Sequence, residues 1–384
     1  MRTIKKAITG GIIGLAIWAA CAPQPAGQST KSGLNRHDFQ TVVNGDLTDL
    51  YVLTNAAGME ACITNYGGRV VSLMVPDTTG EFHDVVLGFD NIDAYVSQPS
   101  SFGATMGRVT NRINQGRFVL DGDTIQLDRN NGAHTIHGGA AGWRQQVFKA
   151  DQPNDSTLML AYRSPDGEGG FPGEVTVAVT FVVNQRNELA IAYEASTTEK
   201  TVINMTNHSF FNLSGDVGNT ILADVLYVNA DRYTPLDTTL ITTGELLPVA
   251  GTPLDFRTPI PIGKAMARDS MHAQLDIAQG IDHNLVLNTD GDMSKLAARL
   301  YSPARGIALE VYTDEPGLQV YTGNMLDGSQ TGKNGQSFDK QTAICLETQH
   351  FPDAPNKPDW PSTVLEPGET YRSTCIYRFV TGSN

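Results

Sequence analysis

The chain has 384 residues, enough for one large β domain or two ordinary domains, with 38 glycines, 19 prolines and only 18% charged residues. That composition suits short apolar strands joined by many turns and disfavours long solvated helices. A formal charge of −14 argues against recognising nucleic acid or an anionic lipid surface through charge.

The first twenty residues differ from the rest. Arg2, Lys5 and Lys6 precede an uncharged, mostly apolar run over residues 7–20, too short to span a bilayer but suited to the core of a signal peptide. Ala19-Ala20-Cys21 resembles a bacterial lipoprotein cleavage box, with Cys21 as the lipidated N-terminus and Trp18 standing where that pattern has Leu. Removing residues 1–20 takes away three cations and no acid, moving the charge from −14 to −17. Residues 21–36, rich in Pro, Gly, Gln and Ser, read as a flexible tether. These features predict an exported protein, periplasmic or on the outer membrane, that touches the membrane only through its lipid anchor. Cys62, Cys345 and Cys375 then remain, without zinc-like spacing and flanked by strand-forming residues. They read as mostly buried thiols, with room for one pair whose members are not assigned.

Residues 37–384 read as one β-rich unit without a dividing linker. Residues 118–120, the turn Asp121-Gly122-Asp123 and residues 124–127 form one predicted hairpin. Residues 175–181 alternate cleanly, residues 184–188 make a polar turn, and residues 189–193 alternate again. The run over residues 202–213 is of β type but carries Asn204, Asn207, Asn212 and His208 where a core strand would carry aliphatics. Period-two alternation puts Asn204, Thr206 and His208 on one face and Ile203 and Met205 on the other. Residues 260–279 show the one helical tendency, residues 317–322 another strand, and the turn Glu366-Pro367-Gly368-Glu369 leads into a strand over residues 371–380. The absence of alternating strands and amphipathic helices disfavours a doubly wound fold. The predicted class is all-β, a large antiparallel β-sandwich.

Polar residues beside these strands supply the chemistry. An isolated histidine such as His208 is more often a satisfied structural group than a functional one, so its companions must decide. Asn111 and Arg112, amid apolar and glycine neighbours, suit a hydrogen-bonding fork for hydroxyls. His134 and His137 are three apart but have no third ligand at a convincing spacing, so a metal is not expected. Gly138 and Gly139 suggest close backbone approach beside His137. Asp282 and Asn284 share a face opposite Ile281, His283 and Leu285. Glu347 lies on a strand face of small side chains, and a buried carboxylate there needs a partner. No Gly-x-Ser-x-Gly elbow, phosphate-cradling loop or dinucleotide fingerprint occurs. Proton transfer between a histidine and a carboxylate remains.

Taken together, Gly107-Arg108-Val109-Thr110-Asn111-Arg112, His137-Gly138-Gly139, residues 166–173, residues 206–213, Asp282-His283-Asn284, residues 321–324 and Leu346-Glu347-Thr348-Gln349 resemble the aldose 1-epimerase, or galactose mutarotase, family. The segments occur in the family's order and cover nearly all of residues 37–384. The resemblance implies a galactose mutarotase-like supersandwich that interconverts the α and β anomers of free aldohexoses such as galactose and glucose, without a cofactor. It implies that His208 is the general acid at the ring oxygen and Glu347 the general base at the anomeric hydroxyl. Asn111, Arg112, His137, Asp282 and Gln319 would hold the sugar hydroxyls, with His137 a second candidate for ring-oxygen protonation. Such a pair predicts a bell-shaped pH dependence near neutrality. Two other readings compete: a non-catalytic sugar-binding protein, and an epimerase of hexose 6-phosphates that would draw on Arg108 and Arg112. Nothing in the sequence assigns an oligomeric state.

Overall fold

The computed structural model describes residues 30–98 and 100–382. The expected leader, Cys21 and the first part of the expected tether lie outside the described residues.

Strand pairing is antiparallel in every named ladder, in a nine-stranded, a five-stranded and a four-stranded sheet with several two-stranded ribbons. The nine-stranded sheet runs from Lys149–Asn154 at one edge, through Val175–Val183, Glu188–Thr197 and Tyr371–Thr381, to Ile260–Pro261 at the other. Its alternation is that of a half-buried strand. Val175, Val177, Val179, Phe181 and Val183 are buried, while Thr176 is exposed and Ala178 and Thr180 are partly so. The predicted hairpin over residues 175–193 is present, with Val175 opposite Thr197 and Val183 opposite Leu189.

The five-stranded sheet positions the site. Its strands run Leu247–Pro248, Ala230–Tyr233, Asp282–Leu287, Gly317–Tyr321, Cys345–Gln349. Asn284 lies opposite Gln319, and Gln319 opposite Glu347. Cross-strand partners share a face, so Asp282, Asn284, Gln319, Tyr321, Cys345 and Glu347 all project from one side. Leu285, Leu318, Val320 and Leu346 project from the other, into the same apolar core as Val177, Val179 and Phe181 of the large sheet and Ile63 and Val70 of the four-stranded one. Burial of each such side chain contributes roughly 1.5–3 kcal/mol. This shared core closes the sandwich and offsets the polar groups buried on the opposite face.

Four expectations change or sharpen on folding. The run over residues 202–213 is not one strand: Thr206–His208 pairs with Ala104–Met106, and Phe211 bridges separately to Ile344. Its asparagines break it, because their side chains compete for backbone groups. Asn207 donates to the Gly103 carbonyl at 2.8 Å and accepts from the Ser209 amide, and Asn212 donates to the carbonyls of Asp216, Asn219 and Thr342. Residues 30–36, expected to belong to a flexible tether, are instead placed against the domain. Leu34 is buried, and the Lys31 amide donates to Glu60 Oε1 at 2.7 Å. Cys62, Cys345 and Cys375 are buried and free, so no pair forms among them. The helical tendency over residues 260–279 resolves into two short helices, Ile262–Met266 and Ala273–Ala278.

Candidate functional site

A cavity of about 390 Å³ opens over the polar face of the five-stranded sheet, lined by Asn111, Arg112, His137, Arg144, His208, Asp282, Tyr321 and Glu347 among others. Its polar wall follows from register. Gln319 Nε2 donates to Asp282 Oδ1 at 2.6 Å, and Arg112 faces Asp282 Oδ2 at 3.7 Å while its Nε donates to Asn131 Oδ1 at 3.3 Å.

The opposite wall is built from two residues in left-handed backbone conformation, Asn111 at φ 58° and His137 at φ 52°. Each costs of order 1 kcal/mol and persists only where its surroundings enforce it. Here the two enforce each other. The Asn111 amide donates to His137 Nδ1 at 3.2 Å, and the His137 amide donates to the Asn111 carbonyl at 3.0 Å. With Nδ1 accepting, the ring carries its proton on Nε2. Gly138 makes the close approach expected of it, since a Cβ there would stand 2.0 Å from the Gly107 carbonyl oxygen.

His208 and Glu347 meet at the base of the cavity, Nε2 to Oε1 at 3.6 Å. The imidazole is stacked on Phe210 at a centroid distance of 5.0 Å, crossed edgewise by His137 at 5.2 Å, and backed at Nδ1 by the Cys345 thiol at 3.5 Å. Cys345 and Glu347 therefore sit against different ring nitrogens. Burial governs the charge states. It lowers the pKa of His208 to about 3, with the cations Arg144 and Arg69 adding to the effect. It raises that of Glu347 well above the usual carboxylate range, and the nearby Asp282 adds to this while Arg112 opposes it. His137 is lowered by burial, then by His208, Arg144 and Arg112. Glu347 Oε2 and Gln319 Oε1 are buried with no hydrogen-bond partner. Each such unmet group costs about 1–3 kcal/mol, which a hydroxyl-bearing ligand would recover.

Not every arginine of the sequence reaches this cavity. Arg108 is buried and spends its guanidinium on Ser164 Oγ at 2.9 Å and on the carbonyls of Pro165 and Pro172 at 2.7 and 2.9 Å. Glu168 binds Tyr162, Ser164 and Trp143 beneath it. The 166–173 segment thus braces the wall and does not line it.

The aldose 1-epimerase family profile matches residues 49–378. The chain belongs to the aldose 1-epimerase family. It is 41% identical to galactose mutarotase of Rattus norvegicus over 317 residues, covering 83% of this chain and 90% of that protein, and 33% identical over 333 residues to aldose 1-epimerase of Escherichia coli, covering 86% and 95%. A solved aldose epimerase homologue from C. elegans superposes with a TM-score of 0.81 at 29% identity, spanning 88% of this chain and 100% of that one. Galactose 1-epimerase from Lactobacillus acidophilus gives 0.79 at 26%, spanning 89% and 97%. The family fold is the antiparallel supersandwich expected from the sequence, and its members are isomerases that interconvert aldose anomers. All seven residues expected at an aldose 1-epimerase site, Asn111, Arg112, His137, His208, Asp282, Gln319 and Glu347, fall at or beside this one cavity. Arg144 and Tyr321 join them without having been singled out as site residues. Arg144 follows Trp143 in a short polar turn and reads as a surface cation.

Proposed function

We propose that this protein is a mutarotase acting on free aldohexoses such as galactose and glucose, with His208 as general acid and Glu347 as general base. The observation that carries the reading is the approach of His208 Nε2 to Glu347 Oε1 at 3.6 Å beneath a cavity lined by Asp282 and Arg112, with Gln319 donating to Asp282. Ring opening moves two protons. Glu347 takes the proton of the anomeric hydroxyl, the C1–O1 bond becomes a carbonyl, the C1–O5 bond breaks, and O5 takes the proton of His208. Rotation about C1–C2 presents the other carbonyl face, and the groups exchange roles for closure. Asp282 and Gln319 accept and donate to ring hydroxyls, Arg112 and Asn111 steady the carboxylate and the wall, and His137 offers Nε2–H towards the sugar. An acid and base pair of this kind contributes on the order of 10² to 10⁴ in rate.

Fresh α-D-galactose or α-D-glucose gives a direct assay through decay of optical rotation. Glu347→Gln and His208→Asn should each lower kcat by about 10²-fold or more. Wild-type rates in both variants would overturn the assigned roles. The leader supports export with a lipid on Cys21, and no helix among the described residues is long and apolar enough to cross a membrane. A mass measurement of the mature N-terminus tests this, since Cys21→Ala should release the protein from membranes if the anchor exists.

A further inference from the structure

The cavity contains one cation without a counter-charge. Arg112 is met by Asp282. Arg144 lines the cavity, is half-buried, and its guanidinium forms neither a hydrogen bond nor an ion pair among the described residues. Its backbone is nonetheless fixed. The Arg144 carbonyl accepts from Arg69 Nη2 at 2.7 Å, and the preceding Trp143 is fully buried with its amide donating to the Gly107 carbonyl at 3.1 Å. An unpaired guanidinium carried into a cavity by a fixed backbone is a seat for an anion.

Sugar chemistry says where that anion belongs. Carbon 5 of a hexopyranose bears both the ring oxygen and carbon 6, so a substituent at carbon 6 lies next to the atom that His208 protonates. Arg144 stands near enough to His208 and His137 to disfavour a proton on either. Resting on the mutarotase reading above, we infer that the site takes hexuronic acids, with the carboxylate at carbon 6 paired to Arg144. A planar carboxylate matches one guanidinium fork. A phosphate dianion would call for a second free cation, and Arg108 is spent on Ser164, Pro165 and Pro172. The pairing also assists the reaction, because the substrate's charge cancels the cation that opposes protonation of His208.

The test compares anomerisation of D-galacturonate, D-galactose and D-galactose 6-phosphate by the wild-type protein and by Arg144→Gln. Galacturonate should be processed at least as efficiently as galactose, and the variant should lower the galacturonate to galactose ratio of kcat/KM by about 10- to 100-fold. Arg144→Lys should restore part of it. As a check without a variant, D-galacturonate should inhibit galactose turnover by the wild-type protein at least about ten-fold more tightly than its methyl ester, which lacks the charge. An unchanged ratio, equal inhibition by acid and ester, or preference for the 6-phosphate would overturn the assignment. Wild-type acceleration of galactose alongside any of these overturns this inference alone, whereas no acceleration of any sugar overturns the mutarotase reading beneath it.

Discussion

At the scale of single residues, the empty site rests in the opposite charge state from the one in which ring opening begins. Burial favours neutral His208 and protonated Glu347, while the proposed opening step needs His208 charged and Glu347 ionised. The two states hold the same number of protons. Their ratio is therefore independent of pH wherever the pair carries one proton, and the macroscopic steps belong to the pair. With His208 lowered to about 3 and Glu347 raised, that window is wide. A plot of kcat/KM against pH should show a flat plateau through neutrality, with its acid limb well below pH 6, instead of the narrow bell that ordinary histidine and glutamate values would give. A sharp maximum near pH 5.5, midway between the ordinary values of 4.5 for glutamate and 6.5 for histidine, would show that the pair titrates as two nearly independent groups. That this pair and Asn111, Arg112, His137, Asp282 and Gln319 would gather at one place was legible in the sequence, because residue type and order carry the grouping. Their charge states were not, since desolvation depends on what packs around each group.

At the scale of elements, the strands were the most legible part. Residues 175–183 alternate because one face meets the core and the other meets solvent, and that pattern is written in period two. The run over residues 202–213 has the alternation of a continuous strand but is broken, because side-chain hydrogen bonds from Asn207 and Asn212 leave no trace in hydropathy. Arg108, which the hexose 6-phosphate reading would pair with Arg112, instead ties residues 164–172 to the site wall. Replacing it tests that structural role. Arg108→Met should leave the carbonyls of Pro165 and Pro172 without donors and lower unfolding stability by about 2–5 kcal/mol, measured by urea denaturation. A change under about 0.5 kcal/mol would show that the brace is dispensable.

For the molecule as a whole, stability carries a penalty at one buried acid. Asp224 is 5% exposed, has no cationic partner among the described residues, and its pKa is raised by burial to about 7. Between its ordinary value of 3.8 and about 7 the folded chain keeps a proton that the unfolded chain loses, so this group's contribution to stability falls as pH rises through that window. Asp224→Asn should be no more stable than the wild type near pH 4 and more stable by roughly 2–4 kcal/mol at pH 8. An equal difference at both pH values would remove Asp224 titration as the cause. The cavity has a consequence for assembly as well. Its lining runs from Ser100 to Glu347 in the sequence and is brought together by long-range contacts such as Arg112 with Asp282 and His208 with Glu347, which close long loops. A chain still emerging from the ribosome holds His208 long before it holds Glu347, so no partial product of synthesis is a partial enzyme. Activity in a refolding experiment should accordingly return with the slowest tertiary phase and lag behind the recovery of far-ultraviolet dichroism.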